Sequence, residues 1–188
     1  MNCPNCGAPM TLFRERDYFF CEYCGAFHFP EPNADGVRVL DEADPTIECP
    51  VCHKSLRRAS LDQYPALFCP GCRGILMQQH FFGEMIKIRR ARAQGPADKP
   101  IPLNQDELKR SLACPNCRKK MHTHPYYGGG NIVIDTCPDC RVIWLDAGEL
   151  TVVVNAPGSD RGERLRLDMG DAWQQYRLGK TKKRPGVW

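Results

Sequence analysis

Twelve cysteines stand in six C-x-x-C pairs along the 188 residues, and the pairs fall into three sets of four with none left over. The first set is Cys3, Cys6, Cys21 and Cys24; the second is Cys49, Cys52, Cys69 and Cys72; the third is Cys114, Cys117, Cys137 and Cys140. The inner spacings are 14, 16 and 19 residues, close to or within the C-x2-C-x15-20-C-x2-C pattern of four-thiolate metal sites. Two residues between paired cysteines allow one tight turn to present both sulfurs to one ion. Proline follows the first cysteine in "CPNC", "CPVC", "CPGC", "CPNC" and "CPDC", fixing φ there and lowering the entropy lost on ordering the turn. Gly7 and Gly25, directly after "CPNC" and "CEYC", permit a positive φ where the chain leaves the metal.

Zinc is the expected ion, three in all, because small tetrahedral all-sulfur sites suit it. Iron is the alternative occupant of four thiolates. A redox C-x-x-C is the alternative chemistry, but such a motif is normally solitary and sits at a helix start in a βαβ setting. Four thiolates also leave no open coordination position for catalysis. The chain is therefore expected not to be an enzyme, and no small-molecule substrate is evident.

The units repeat beyond their ligands. Met10, Leu56 and Met121 lie four residues after the second cysteine; Phe27, Ile75 and Ile143 lie three after the fourth, and Phe29, Met77 and Leu145 five after it. That alternation predicts a strand with one covered face. Each unit then reads as a cysteine turn, a strand, a return strand into the second turn and a third strand leaving it, which is a zinc ribbon. Segments of about 25 to 35 residues cannot bury enough apolar surface to offset their conformational entropy. A four-thiolate zinc contributes on the order of 10 kcal/mol, and in such units that is folding free energy.

The expected fold is thus a small metal-bound α+β protein: three tandem zinc ribbons, each a short antiparallel sheet, with helical segments after the second and third. The boundaries are ribbon one at 1–30, an acidic linker at 31–48, ribbon two plus helix at 49–94, a linker at 95–113, ribbon three at 114–155, and a C-terminal extension with a basic tail at 156–188. Residues 31–48 carry six acids against one base, and "GPADKPIPLNQ" is proline-rich, as linkers are. In "QHFFGEMIKIRRARAQ", Phe82, Met85 and Ile86 form a helical stripe with a basic end that suits the helix dipole.

With these residues stated, a resemblance follows. The third unit, with "CPNC", "CPDC" and then "IWLDAGEL", resembles the bacterial members of the transcription-factor-IIB-type zinc ribbon family, whose signature is paired cysteine turns followed by Trp-Leu-Asp-x-Gly-Glu-Leu. The second unit keeps the family's glycine, Gly74, but lacks Trp-Leu-Asp; the third has Val142 at that glycine's position. The resemblance implies a ribbon fold and four-cysteine zinc ligation at the matching positions. It implies no reaction.

The remaining candidates lie outside the metal shells. Asp146 with Glu149 reads as a helix N-cap with its acidic partner. Trp144 alternates with Ile143 and Leu145, and packing is preferred over an exposed anchor. His53 sits in a cysteine turn; His122 and His124 share a strand face before "YYGGGN", where a polar exposed face is preferred over a metal or phosphate contact. Tyr126 and Tyr127 at that tip are candidates to stack on bases. Net charge is +4, with basic stretches at Lys87, Arg89, Arg90, Arg92 and at Lys180, Lys182, Lys183, Arg184 that suit phosphate or an acidic partner. Without a signal sequence or an apolar span, a cytoplasmic home and no membrane are expected. The functional expectation is a binding module for nucleic acid or protein, undecided between them and possible in transcription; the alternative is thiol redox or metal handling through a C-x-x-C pair.

Overall fold

A computed structural model describes residues 1–13 and 16–162; the expectations placed on residues 163–188 lie outside the described residues. Unit one forms a three-stranded antiparallel sheet of β1 (Thr11–Phe13), β2 (Tyr18–Phe20) and β3 (Phe27–His28). Next come β4 (Val37–Glu48), β5 (Ser55–Leu61), β6 (Tyr64–Phe68), β7 (Ile75–Gln78) and helix α1 (Gln79–Arg92). A 3-10 turn at Glu107–Lys109 precedes β8 (His122–Pro125), β9 (Val133–Cys137), β10 (Val142–Leu145) and helix α2 (Glu149–Asn155).

Units two and three are not separate sheets in series, as the sequence implies. Their strands join one seven-stranded sheet ordered β4-β5-β6-β7-β10-β9-β8. The junction pairs the strands that leave the last cysteine of each unit: Ile75 faces Leu145, Leu76 faces Trp144, Met77 faces Ile143 and Gln78 faces Val142. Leu76 and Trp144 each lie four residues past their unit's last cysteine, so the two units meet about a local two-fold centred on that pair. Short ribbons expose strand edges, and pairing two of them removes both edges from water.

Residues 37–48, within the stretch expected as an acidic linker, form β4, which pairs with β5 from Val37–Leu61 to Glu48–Ser55 with two register irregularities. Val37 and Leu40 explain the strand: Val37 is buried against the main core, and Leu40 packs with Cys3, Met10, Phe19 and Cys21 of unit one. Acidic composition conceals these apolar contacts.

The seven-stranded sheet has a core on each face. On one, Ile75, Met77, Ile143 and Leu145 meet Phe82, Met85 and Ile86 of α1 and Leu150 and Val153 of α2, as the helical stripe predicts. On the other, Leu56, Leu76, Met121, Val142 and Trp144 pack with buried cysteines of units two and three. Phe27 and Phe29 depart from the covered-face expectation, being 57% and 63% exposed. Their counterparts in the other units are covered by helices; among the described residues, unit one has no helix.

Candidate metal centres

Each set of four cysteines converges. The four Sγ atoms of each lie within 4.8 Å of one another, and the three groups consist of cysteines alone among the described residues. Pairs stand at 3.5 Å for Cys3–Cys24 and Cys6–Cys21, 3.4 Å for Cys49–Cys72, 3.3 Å for Cys52–Cys69 and 3.7 Å for Cys117–Cys137. Four sulfurs at about 2.3 Å from a tetrahedral ion are about 3.8 Å apart. The cysteines are free rather than bridged, and the donor sets fit one ion apiece.

One backbone device recurs in five of the turns. The N–H four residues after the first cysteine of a pair donates to that cysteine's carbonyl: Gly7 to Cys3 and Gly25 to Cys21 at 2.8 Å, His53 to Cys49 at 3.1 Å, Arg73 to Cys69 at 2.9 Å and Arg118 to Cys114 at 2.8 Å. The residue after the second cysteine takes a left-handed conformation every time: Gly7 (φ 75°), Gly25 (72°), His53 (58°), Arg73 (64°), Arg118 (63°) and Arg141 (54°). Two of the six use the residue best suited to that conformation, and four use ordinary L-residues at a steric cost. That is the role of His53.

Backbone amides also aim at sulfur. Val51 and Cys52 donate to Cys49 Sγ at 3.4 Å, and Cys72 donates to Cys69 Sγ at 3.5 Å. Crowded thiols then divide their protons. The Lys54 amide pulls Cys52 down to about 7, while burial pushes Cys49 up. In unit three the Lys119 amide lowers Cys117, whose sulfur in turn pushes Cys140 up to about 12. Four such thiols cannot all ionise without a cation among them, and a bound dication supplies it.

The clusters differ in shelter. Cys49, Cys69, Cys114 and Cys137 are buried, with their second cysteines partly covered. In unit one Cys3 and Cys21 are buried but Cys6 and Cys24 are exposed.

Around the third cluster, "WLDAGEL" works differently from its sequence reading. Trp144 is fully buried, so it packs. Asp146 is not the cap: Gly148 (φ 86°) occupies the N-cap position of α2 without a side-chain bond. The Asp146 carboxylate accepts the Trp144 indole N–H at 3.0 Å and pairs with Arg110. Glu149 takes part of the capping-box role, accepting the Asp146 backbone N–H at 2.7 Å. Arg110 also donates to Asp135 at 2.9 Å through Nε, and Asp135, wholly buried, takes the Thr123 hydroxyl as well. Nothing in the spacing of Arg110 and Asp135 marks them as partners.

Two of the basic residues considered for phosphate are engaged inside the protein. Arg90 is 3% exposed and donates to Asp160 and to the carbonyls of Val153, Ala156 and Pro157. Arg89 pairs with Asp62 and donates to the Asp35 carbonyl. Lys87 and Arg92 are exposed. Tyr126 is half-buried against Phe82, whereas Tyr127 is 90% exposed and stacks on His124. Among the described residues no helix is long and apolar enough to cross a membrane.

No curated protein and no solved structure matches the chain. Residues 113–156 match the transcription-factor-IIB-type zinc ribbon model, described as a transcription factor zinc-finger; the match takes in the third cluster, β8 to β10 and α2, and over this segment the chain is similar to that zinc-ribbon family.

Proposed function

We propose that the chain is a zinc-ordered binding protein: three ribbons, each closed by one Zn2+ on four thiolates, presenting surfaces to a macromolecular partner, with no catalysis of its own. The convergence of each cysteine set, every Sγ within 4.8 Å of the others, carries this reading. Zinc is favoured by the family match over residues 113–156 and by the all-sulfur donor set. When bound, the ion supplies charge and cross-linking rather than a reactive position, since four thiolates close its shell. Cys3, Cys6, Cys21 and Cys24 would hold the first ion, Cys49, Cys52, Cys69 and Cys72 the second, and Cys114, Cys117, Cys137 and Cys140 the third.

A binding role is supported by what the fold leaves open. One face of the unit-one sheet carries Phe13, Tyr18, Phe20, Phe27 and Phe29, with neighbouring ring centroids 4.9 to 6.4 Å apart. Aromatic rings on a sheet face serve both nucleic-acid and protein recognition.

Metal analysis combined with thiol alkylation tests the proposal. Three zinc ions per chain, all twelve thiols protected, and loss of the folded far-ultraviolet signal on chelation are expected. One zinc-free pair that cycles with a dithiol reductant would establish the redox alternative instead. A chain that keeps its fold after complete demetallation would refute the proposal.

A further inference from the structure

Between the Glu107–Lys109 turn and β8 lies an open cleft of ≈ 660 Å³ lined by Lys109, Arg110, Lys120, His122, His124 and Tyr127 among others, with no acidic residue in its lining. We infer that this cleft binds single-stranded nucleic acid, with a base stacked on Tyr127 and the adjoining phosphates on Lys109 and Lys120. The inference rests on the reading of the chain as a zinc-ordered binding protein, and it selects the partner.

Three features carry it. Tyr127 is 90% exposed yet held: its ring stacks on His124 at 5.7 Å and 24°. His124 is itself fixed, since Nδ1 lies 2.9 Å from the Pro125 carbonyl, to which its N–H donates, and Nε2 lies 3.2 Å from the Thr136 hydroxyl. A ring ordered on one face and open on the other loses little entropy when a base settles on it. The second feature is charge. Arg110 lines the cleft but is occupied by Asp135 and Asp146, leaving the lysines for phosphate. Lys120 is exposed and forms no ion pair among the described residues. The Lys109 contact with Asp106 is a surface pair, with side chains 74% and 90% exposed, which competes weakly with a phosphate.

The third feature is shape. The cleft runs along a sheet edge, and Pro125 at the end of β8 lacks the N–H that an added peptide strand would need. A duplex keeps its bases stacked and offers no free base face to Tyr127, whereas an unpaired strand offers both base face and phosphate. The ligand chemistry is therefore an unstacked base joined to a phosphodiester, which RNA and DNA share.

The test uses the full-length, zinc-loaded chain and the fluorescence anisotropy of dye-labelled single strands of mixed sequence, one RNA and one DNA, each about ten nucleotides long. A duplex of the same sequence serves as comparison and inorganic polyphosphate as competitor. Either single strand binding at low salt supports the inference, and the stronger of the two assigns the sugar. Tyr127→Ala should weaken binding about tenfold or more while Tyr127→Phe retains it. With two phosphate contacts, a tenfold rise in salt should weaken binding about 25-fold, and Lys120→Ala should flatten that dependence. Zinc content measured on each variant shows that the fold is intact. Absence of single-strand binding, equal binding of the duplex, full competition by polyphosphate, or wild-type affinity in Tyr127→Ala would each overturn the inference. Three zinc ions per chain in the same preparation would leave the broader proposal standing.

Discussion

A Cβ added to Gly74 would stand 2.1 Å from Cζ2 of Trp144 and 2.7 Å from its Cη2. The residue directly before β7 in unit two is thus the cradle for the one tryptophan of unit three's strand β10, and the fit lies at the seam where the two units pair.

Gly74→Ala should therefore destabilise the protein although φ at this position is not left-handed. The indole is fully buried and cannot retreat, so overpacking of about 1–3 kcal/mol is expected. Trp144→Leu opens space but leaves a cavity and removes the bond to Asp146. In a double-mutant cycle by denaturant unfolding, Gly74→Ala should cost less in the Trp144→Leu background than alone. Strict additivity would show that the two residues do not share the seam.

The ion pair of Arg110 with Asp135 makes a second case. The Asp135 side chain has no exposure, and Arg110→Met leaves its carboxylate with only the Thr123 hydroxyl as a partner among the contacts described above. Removing one member of a buried pair costs about 3–5 kcal/mol. Adding Asp135→Asn should recover much of that loss, because the uncompensated charge disappears. Chemical denaturation of the zinc-loaded variants reads both effects. A loss below about 1 kcal/mol in Arg110→Met would place Asp135 in a more polar setting than its burial implies.

Left-handed residues in the cysteine turns can be tested by reversing their chemistry. His53 holds φ 58°, and glycine there would relieve about 1–2 kcal/mol of backbone cost, less about 0.4–1 kcal/mol from the greater freedom of the unfolded chain. His53→Gly should therefore raise the unfolding midpoint slightly. Gly7→Ala should lower it, and purely through the backbone, because a Cβ at Gly7 meets nothing within 4 Å. If both changes shift stability in the same direction, the conformation is not what governs these positions.

The cysteine turns were legible because their chemistry is local: ligand type, spacing and a turn residue all lie within a few positions. Gly7 and Gly25 show the same left-handed turn as His53 and Arg118, but only the glycines announce it. The β7–β10 seam was not legible, since Leu76 and Trp144 are far apart in sequence and either strand alone reads as the edge of its own ribbon. Phe27 and Phe29 share the period of Ile75 and Met77 yet face outward, because the period records alternation and not which face a helix will cover. Asp146 followed the capping pattern by spacing, but a buried indole N–H and a distant guanidinium compete for the same oxygens.

The carboxyl of Glu149 gives a pH dependence with a definite sign. Burial pushes it from its ordinary 4.5 up to about 8; the Asp146 amide and Arg110 pull it down, and the charges of Asp146 and Glu107 add to the rise. Between those values the folded state holds a proton that the unfolded chain has released. The stabilising contribution is complete below about 4.5, falls as pH rises, and is gone above about 8, by at most about 1.4 kcal/mol per pH unit. Glu149→Gln keeps an acceptor for the Asp146 N–H and cannot ionise. It should therefore match the parent near about pH 5 and exceed it near about pH 8 in urea midpoints. Parallel pH profiles for the two proteins would mean that the carboxylate is better solvated than its burial indicates.

Metal release should be ordered by thiol shelter. With Cys6 and Cys24 exposed while the second cysteines of the other clusters are partly covered, a chelator or alkylating agent reaches the first cluster before the others. Units two and three also share a continuous sheet and two helices, so opening either disturbs the packing of both, whereas unit one has a small core of its own with Leu40 as its contact from β4. Limited chelation followed by alkylation and peptide mass mapping should find Cys3, Cys6, Cys21 and Cys24 modified when about one ion of three has left. The remaining eight thiols should then react together rather than in two steps, because the β7–β10 pairing couples their folding. Separate release from units two and three would show that each ribbon holds itself without the seam.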